Sequence, residues 1–223
     1  MIKIKEYNAV IFDMDGVLID SEPLWKIAME EVFSFIGCPL SKEDFQHTVG
    51  LRIDEVIDYW SNKIGWEKYT NKHVEELIEN KMVELITKNG KPLNGVVEMI
   101  DFLKTNKLKI GLATSSSFIL IKAVLETLGL EKKFDFVHSA EKEEYGKPHP
   151  AVYLSVSKHL AVPPLKCLVV EDSLNGVISG KAARMTVVCV PEKTHTPNPK
   201  LSLADYSFSS MQELLEKLKK NQL

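Results

Sequence analysis

The chain has 223 residues, 44% of them hydrophobic and 26% charged, with a formal charge of −3. This is the composition of an ordered globular protein with a substantial core. It offers no basic face for nucleic acid and no run near the roughly 18 apolar residues of a membrane helix, so neither partner is expected.

Cys38, Cys167 and Cys189 are odd in number and widely spaced, two of them inside apolar runs. They read as small buried hydrophobes in a reducing cytoplasm. The opening Met1-Ile2-Lys3-Ile4-Lys5-Glu6 lacks the apolar stretch of a signal peptide, and the six histidines lack paired zinc-ligand spacing.

Ala9-Val10-Ile11-Phe12 predicts a buried strand that closes on Asp13-Met14-Asp15-Gly16-Val17. Residues 21–90 then carry only helical patterns. The first opens at Pro23 and runs through Leu24, Ile27, Ala28, Val32, Phe35 and Ile36 to Gly37. A second helix is expected near Ser41 with Asp44 as its capping partner. A third follows Gly50, with Ile53, Val56, Ile57 and Trp60 on one face. A fourth runs from about Thr70 through Val74, Leu77, Ile78, Met82, Leu85 and Ile86 to Asn89-Gly90.

From Pro92 the pattern alternates: helix from Val96 to about Lys104, strand Lys109 to Ala113, helix to Gly129, and a weaker strand from Phe134 to His138. A helix from Pro150 to Leu160, strand Cys167 to Val170, helix Gly176 to Ala183 and strand Val187 to Val190 follow. A short strand near Tyr206 to Phe208 and a terminal helix close the chain, and Pro191 to Pro199 is the one Pro-rich loop. Alternation of this kind implies an α/β fold with a Rossmann-like, doubly wound parallel sheet. The helical block is read as an inserted cap domain, 21–90, within a core domain of 1–20 plus 91–223.

In such sheets ligands bind at the carboxyl ends of the strands, where the reactive residues of this chain fall. Asp13 and Asp15 follow the first strand. Thr114-Ser115-Ser116-Ser117 follows the second, supplying hydroxyls and a helix N-terminus for an anion. Glu171-Asp172-Ser173 follows another buried run, and Lys147 stands at the foot of a helix, where its charge opposes the helix dipole unless an anion binds. Acids, hydroxyls and one lysine form a set suited to phosphoryl transfer, in which a carboxylate attacks phosphorus and magnesium relieves the repulsion between anions.

In this order, Asp13-x-Asp15-Gly16, the Thr114 strand end, Lys147-Pro148 and Glu171-Asp172 resemble the four motifs of the haloacid dehalogenase superfamily across essentially the whole chain. The insertion resembles the helical cap of its β-phosphoglucomutase-like subfamily. Asp20-Ser21-Glu22-Pro23-Leu24-Trp25, Gly50-Leu51-Arg52-Ile53-Asp54, Ser139-Ala140-Glu141-Lys142 and Lys181-Ala182-Ala183-Arg184-Met185 resemble its hexitol phosphatase and 2-deoxyglucose-6-phosphate phosphatase branch.

The resemblance implies that Asp13 is the nucleophile and Asp15 the acid and base. Thr114, Ser115, Ser116 and Lys147 would bind phosphate. Asp13, Asp172 and the backbone oxygen of Asp15 would hold magnesium, with Glu171 a water-mediated or alternate ligand and manganese or cobalt as substitutes. The expected activity is hydrolysis of sugar or sugar-alcohol monophosphates by a cytoplasmic monomer. The alternatives are a β-phosphoglucomutase and a non-catalytic sugar-phosphate-binding regulator.

The mutases carry histidine where this chain has Trp25, which weakens the mutase alternative. Trp25 either packs the first cap helix or stacks on the sugar. Arg52 either reaches substrate or pairs with Asp54 or Glu55. Lys81 matches a mutase cap lysine in approximate position and is otherwise a surface lysine. Glu22 is a further substrate-binding candidate.

Overall fold

In the computed structural model, residues 2–41, 44–48, 50–191 and 198–220 are described. Strands β1 (Ala9–Phe12), β2 (Lys109–Thr114), β3 (Phe136–Ser139), β4 (Cys167–Glu171), β5 (Thr186–Cys189) and β6 (Tyr206–Ser207) form one sheet in the order β3-β2-β1-β4-β5-β6. Every pairing is parallel.

Both sheet faces are covered, so the strands are nearly continuous apolar runs. Val10, Phe12, Ile110, Leu112, Leu168, Val170 and Val188 face one side and pack with α4 (Val96–Thr105), α5 (Phe118–Leu128) and α8 (Met211–Lys220). Ala9, Ile11, Ala113, Cys167, Val169, Val187 and Cys189 face the other, against α6 (Ala151–His159) and α7 (Leu174–Ala182). The three cysteines are free thiols, with Cys167 and Cys189 buried.

The chain moves outward from β1 through β2 to β3, then returns to add β4 on the other side of β1. That reversal leaves the crevice at the carboxyl end of β1, flanked by β2 and β4. Register sets the depth of the site, because Phe12 lies level with both Leu112 and Val170.

Between β1 and α4 lie α1 (Glu22–Phe35), α2 (Ile53–Lys63) and α3 (Asn71–Asn89); the expected apolar face of α2 is buried, whereas Ile27 and Phe35 on α1 are exposed and Leu77 on α3 is half-buried, because these positions lie at the margin of each apolar stripe. Their two connections to the sheet meet where Ile19 bridges Pro92. Among the described residues, no helix is long and apolar enough to cross a membrane.

The structure differs from the sequence expectation in several local respects. The helix expected near Ser41 is a 3-10 turn, Asp44–Thr48. Ser41 and Asp44 do exchange the expected bonds, but the segment before left-handed Gly50 is too short to sustain an α-helix. β3 starts at Phe136, since Asp135 accepts from Ile110 N and Phe134 packs edge-on against Phe12. β2 and β4 each run one residue further, so Thr114 and Glu171 are strand residues. Positions 192–197 of the Pro-rich loop lie outside the described residues.

Candidate active site

Asp13 continues β1, its amide donating to Val170 O at 3.0 Å, which fixes the carboxylate at the carboxyl end of the central strands. Gly16, at φ 69°, then turns the chain against β4. A Cβ there would stand 2.2 Å from Asp172 Oδ2, so only glycine allows this approach. The turn brings Asp13, Glu171 and Asp172 together, each offering one carboxylate oxygen within 4.8 Å of the others. Hard oxygen donors in this number fit a magnesium-sized cation.

Lys147 is buried between two of these acids. Its Nζ donates to Glu171 Oε1 at 2.6 Å and to Ala113 O at 3.1 Å, and forms an ion pair with Asp13 Oδ1 at 2.9 Å. The Tyr153 hydroxyl donates to the same Glu171 oxygen at 2.6 Å, and its ring lies under the ammonium. Glu171 Oε2 accepts from Asp172 N, Ser173 N and Ser173 Oγ.

One buried cation between two buried carboxylates leaves excess negative charge, and the ionisation equilibria reflect it. Burial pushes Asp13 up to about 7 against the pull of Lys147. Burial also opposes charge on Glu171, but Lys147 outweighs it and holds this carboxyl below its usual range. Lys147 is disfavoured by burial and still held above the usual lysine range by Asp13 and Glu171.

Asp15 is oriented by three side chains. Oδ1 accepts from Ser21 Oγ at 2.5 Å and Trp25 Nε1 at 3.2 Å, and Oδ2 accepts from Ser116 Oγ at 2.7 Å. Ser116 is itself fixed, because its amide donates to Thr114 Oγ1 and its carbonyl accepts from Ser139 Oγ. The cavity above is lined on the sheet side by Asp13, Asp15, Thr114, Ser115, Ser116, Lys147 and Asp172. On the insert side, Glu22, Trp25 and Lys26 meet an apolar wall of Met29, Phe45, Leu51 and Val56.

Two expected substrate contacts are not brought to this cavity. Arg52 grips Asp54 with Nε and Nη2 at 3.1 and 2.9 Å, while Nη1 donates to Ala140 O and Glu143 O across the seam. It is the paired arginine of the two sequence alternatives, and it also ties the insert to the loop ahead of Lys147. That seam is tight: a Cβ on Gly146 would lie 2.9 Å from Glu55 Oε2 and 3.0 Å from Arg52 Cγ. Lys81 pairs with Glu31 at 2.8 Å and Glu84 at 3.2 Å on the outside of α3 and does not line the cavity.

Several site residues escaped the sequence reading, among them the apolar wall and three polar side chains, Lys26, Ser21 and Tyr153. Lys26 stands one turn after Glu22, 3.3 Å away, a spacing that could have flagged the pair. Ser21 lies inside the Asp20-to-Trp25 segment, where nothing in the sequence separates its hydroxyl from an ordinary helix-end serine. Tyr153 sits in the apolar stripe of α6 and carries no signal that separates it from core.

Residues 10–190 match the sequence profile of the haloacid dehalogenase-like hydrolases. The chain belongs to this family. Hexitol phosphatase B of Escherichia coli K12 is 41% identical over 214 residues, 96% of each chain. Among solved structures, CbbY from Rhodobacter sphaeroides in complex with phosphate has the same fold, with a TM-score of 0.88 at 22% identity over 96% of this chain and 99% of that one. A β-phosphoglucomutase from Clostridium difficile reaches a TM-score of 0.82 at 27% identity, covering 96% of both chains. The chain is a haloacid dehalogenase-like hydrolase, with Asp13, Asp15, Glu171 and Asp172 grouped at the carboxyl ends of β1 and β4.

Proposed function

We propose that this hydrolase cleaves six-carbon sugar or sugar-alcohol monophosphates, among them hexitol phosphates and 2-deoxyglucose 6-phosphate, through an aspartyl phosphate on Asp13. The observation that carries this reading is the pairing of Asp13, held by Lys147, with a second carboxylate, Asp15, in one cavity. A dehalogenase has no leaving alcohol to protonate, whereas a phosphatase does. The kinship to hexitol phosphatase B supports the substrate class.

In this reading Asp13 attacks phosphorus while Lys147 and the Thr114–Ser115 segment hold the phosphate oxygens. Asp15 protonates the departing sugar oxygen, then takes a proton from the water that hydrolyses the acyl phosphate. Magnesium, when bound, would be held by Asp13, Asp172 and the backbone oxygen of Asp15, and would supply positive charge against the phosphate. Glu171, with both oxygens engaged, acts by orienting Lys147. Chelation is expected to abolish phosphate release, and Asp172→Ala to raise the half-saturating magnesium concentration by about tenfold or more. A metal titration superimposable on the wild-type curve contradicts the assignment.

The helical insert serves as a cap that closes over the sugar, its hinges near Ser21 and Lys91. Arg52 is its latch. Arg52→Ala is expected to raise KM by a similar factor, about three- to tenfold, for a sugar phosphate and for 4-nitrophenyl phosphate, because it loosens closure without touching either leaving group. A rise confined to the sugar would make Arg52 a sugar contact instead.

The substrate class is tested by measuring phosphate release across hexose, hexitol and pentose phosphates. The six-carbon compounds are expected to lead. Conversion of β-glucose 1-phosphate to glucose 6-phosphate without phosphate release would replace this reading with the mutase one.

A further inference from the structure

Ser21 occupies the N-cap position of α1, where a serine hydroxyl ordinarily accepts a bond from the first helical turn. Here it makes no such cap bond, and the hydroxyl is directed to Asp15 Oδ1 at 2.5 Å. Trp25 lies four residues on, hence on the same helix face, and its indole N–H reaches the same oxygen at 3.2 Å. A cap bond is forgone at that helix end, and two donors converge on one carboxylate oxygen. Neither packing nor sugar stacking requires the indole nitrogen to point at Asp15.

We infer that Trp25 is a positioning residue for the acid, fixing which Asp15 oxygen faces the leaving group. This rests on the acid and base role given to Asp15 above. Ser116 holds Oδ2 from the sheet side, while Ser21 and Trp25 hold Oδ1 from α1. The carboxylate plane is thereby set by where the first helix of the insert sits.

The consequence depends on the leaving group. A sugar hydroxylate needs a proton as the phosphorus–oxygen bond breaks, whereas 4-nitrophenolate leaves without one. The comparison uses kcat/KM, which reports steps up to leaving-group departure, since Asp15 also acts on water afterwards. Trp25→Phe keeps an aromatic ring and deletes the donor. It is expected to lower kcat/KM for 2-deoxyglucose 6-phosphate about tenfold while leaving that for 4-nitrophenyl phosphate within about twofold. Ser21→Ala, which deletes the other donor to Oδ1, is expected to show the same split.

Asp15→Ala serves as the reference and should show the split at larger amplitude. Equal losses on both esters in Trp25→Phe, or a raised KM for the sugar with kcat unchanged, would overturn the inference in favour of packing or sugar contact. If Asp15→Ala lacks the split, the acid role itself fails. If it shows the split and neither Trp25→Phe nor Ser21→Ala does, only the positioning role fails.

Discussion

Asp13→Asn is expected to abolish phosphate release, by at least about 10⁴-fold, while leaving the fold intact. The amide matches the carboxylate in shape, and the β1 backbone that places it is bonded to Val170 regardless of the side chain. The same substitution carries a stability signature in metal-free protein. Burial raises the Asp13 carboxyl from 3.8 in its ordinary state to about 7 in the fold, with Lys147 opposing. A group that binds its proton more tightly folded than unfolded favours the fold fully below its unfolded value, and that contribution is lost as pH rises through the folded one. The melting temperature of Asp13→Asn relative to wild type should therefore climb between pH 4 and pH 7 and then level off. A difference independent of pH would show that Asp13 is not strained by its burial.

Lys147→Met is expected to damage both activity and stability. Its ammonium is buried between Asp13 and Glu171, and Glu171 is wholly inaccessible to solvent. Removing one partner of a buried pair costs about 3–5 kcal/mol because the remaining charge is left uncompensated. Urea unfolding should register that loss, and adding Glu171→Gln should recover part of it by removing the stranded charge. Phosphate release should stay lost in the double variant, since the ammonium that holds the phosphate oxygens is still missing. Full stability in Lys147→Met alone would contradict this account of the buried pair.

The legible and illegible parts of this molecule divide along a physical line. Strands covered on both faces are unbroken apolar runs, so their ends, and with them Asp13, Thr114 and Asp172, stand out in the sequence. Parallel register then requires those ends to converge. Side chains of the insert obey no such rule, because their direction depends on how three helices seat on the sheet. Arg52 is drawn to Asp54 and to carbonyls 88 and 91 residues along the chain, and Lys81 to Glu31 on a neighbouring helix. Asp54 and, for Lys81, Glu84 are local partners, but the distant carbonyls and Glu31 are not specified by the local sequence. Tyr153 is equally hidden, since a tyrosine in an apolar helical stripe becomes a site residue only when Glu171 arrives opposite it.

The most direct test of the phosphoryl-enzyme claim is chemical trapping. Protein turning over 2-deoxyglucose 6-phosphate with magnesium is quenched into borohydride and digested, and the peptide spanning Asp13 and Asp15 is sequenced by mass spectrometry. The account predicts reduction of Asp13 to homoserine only when substrate is present, with Asp15 unchanged. Modification at another residue, or an unmodified Asp13 in protein that demonstrably releases phosphate, would contradict it.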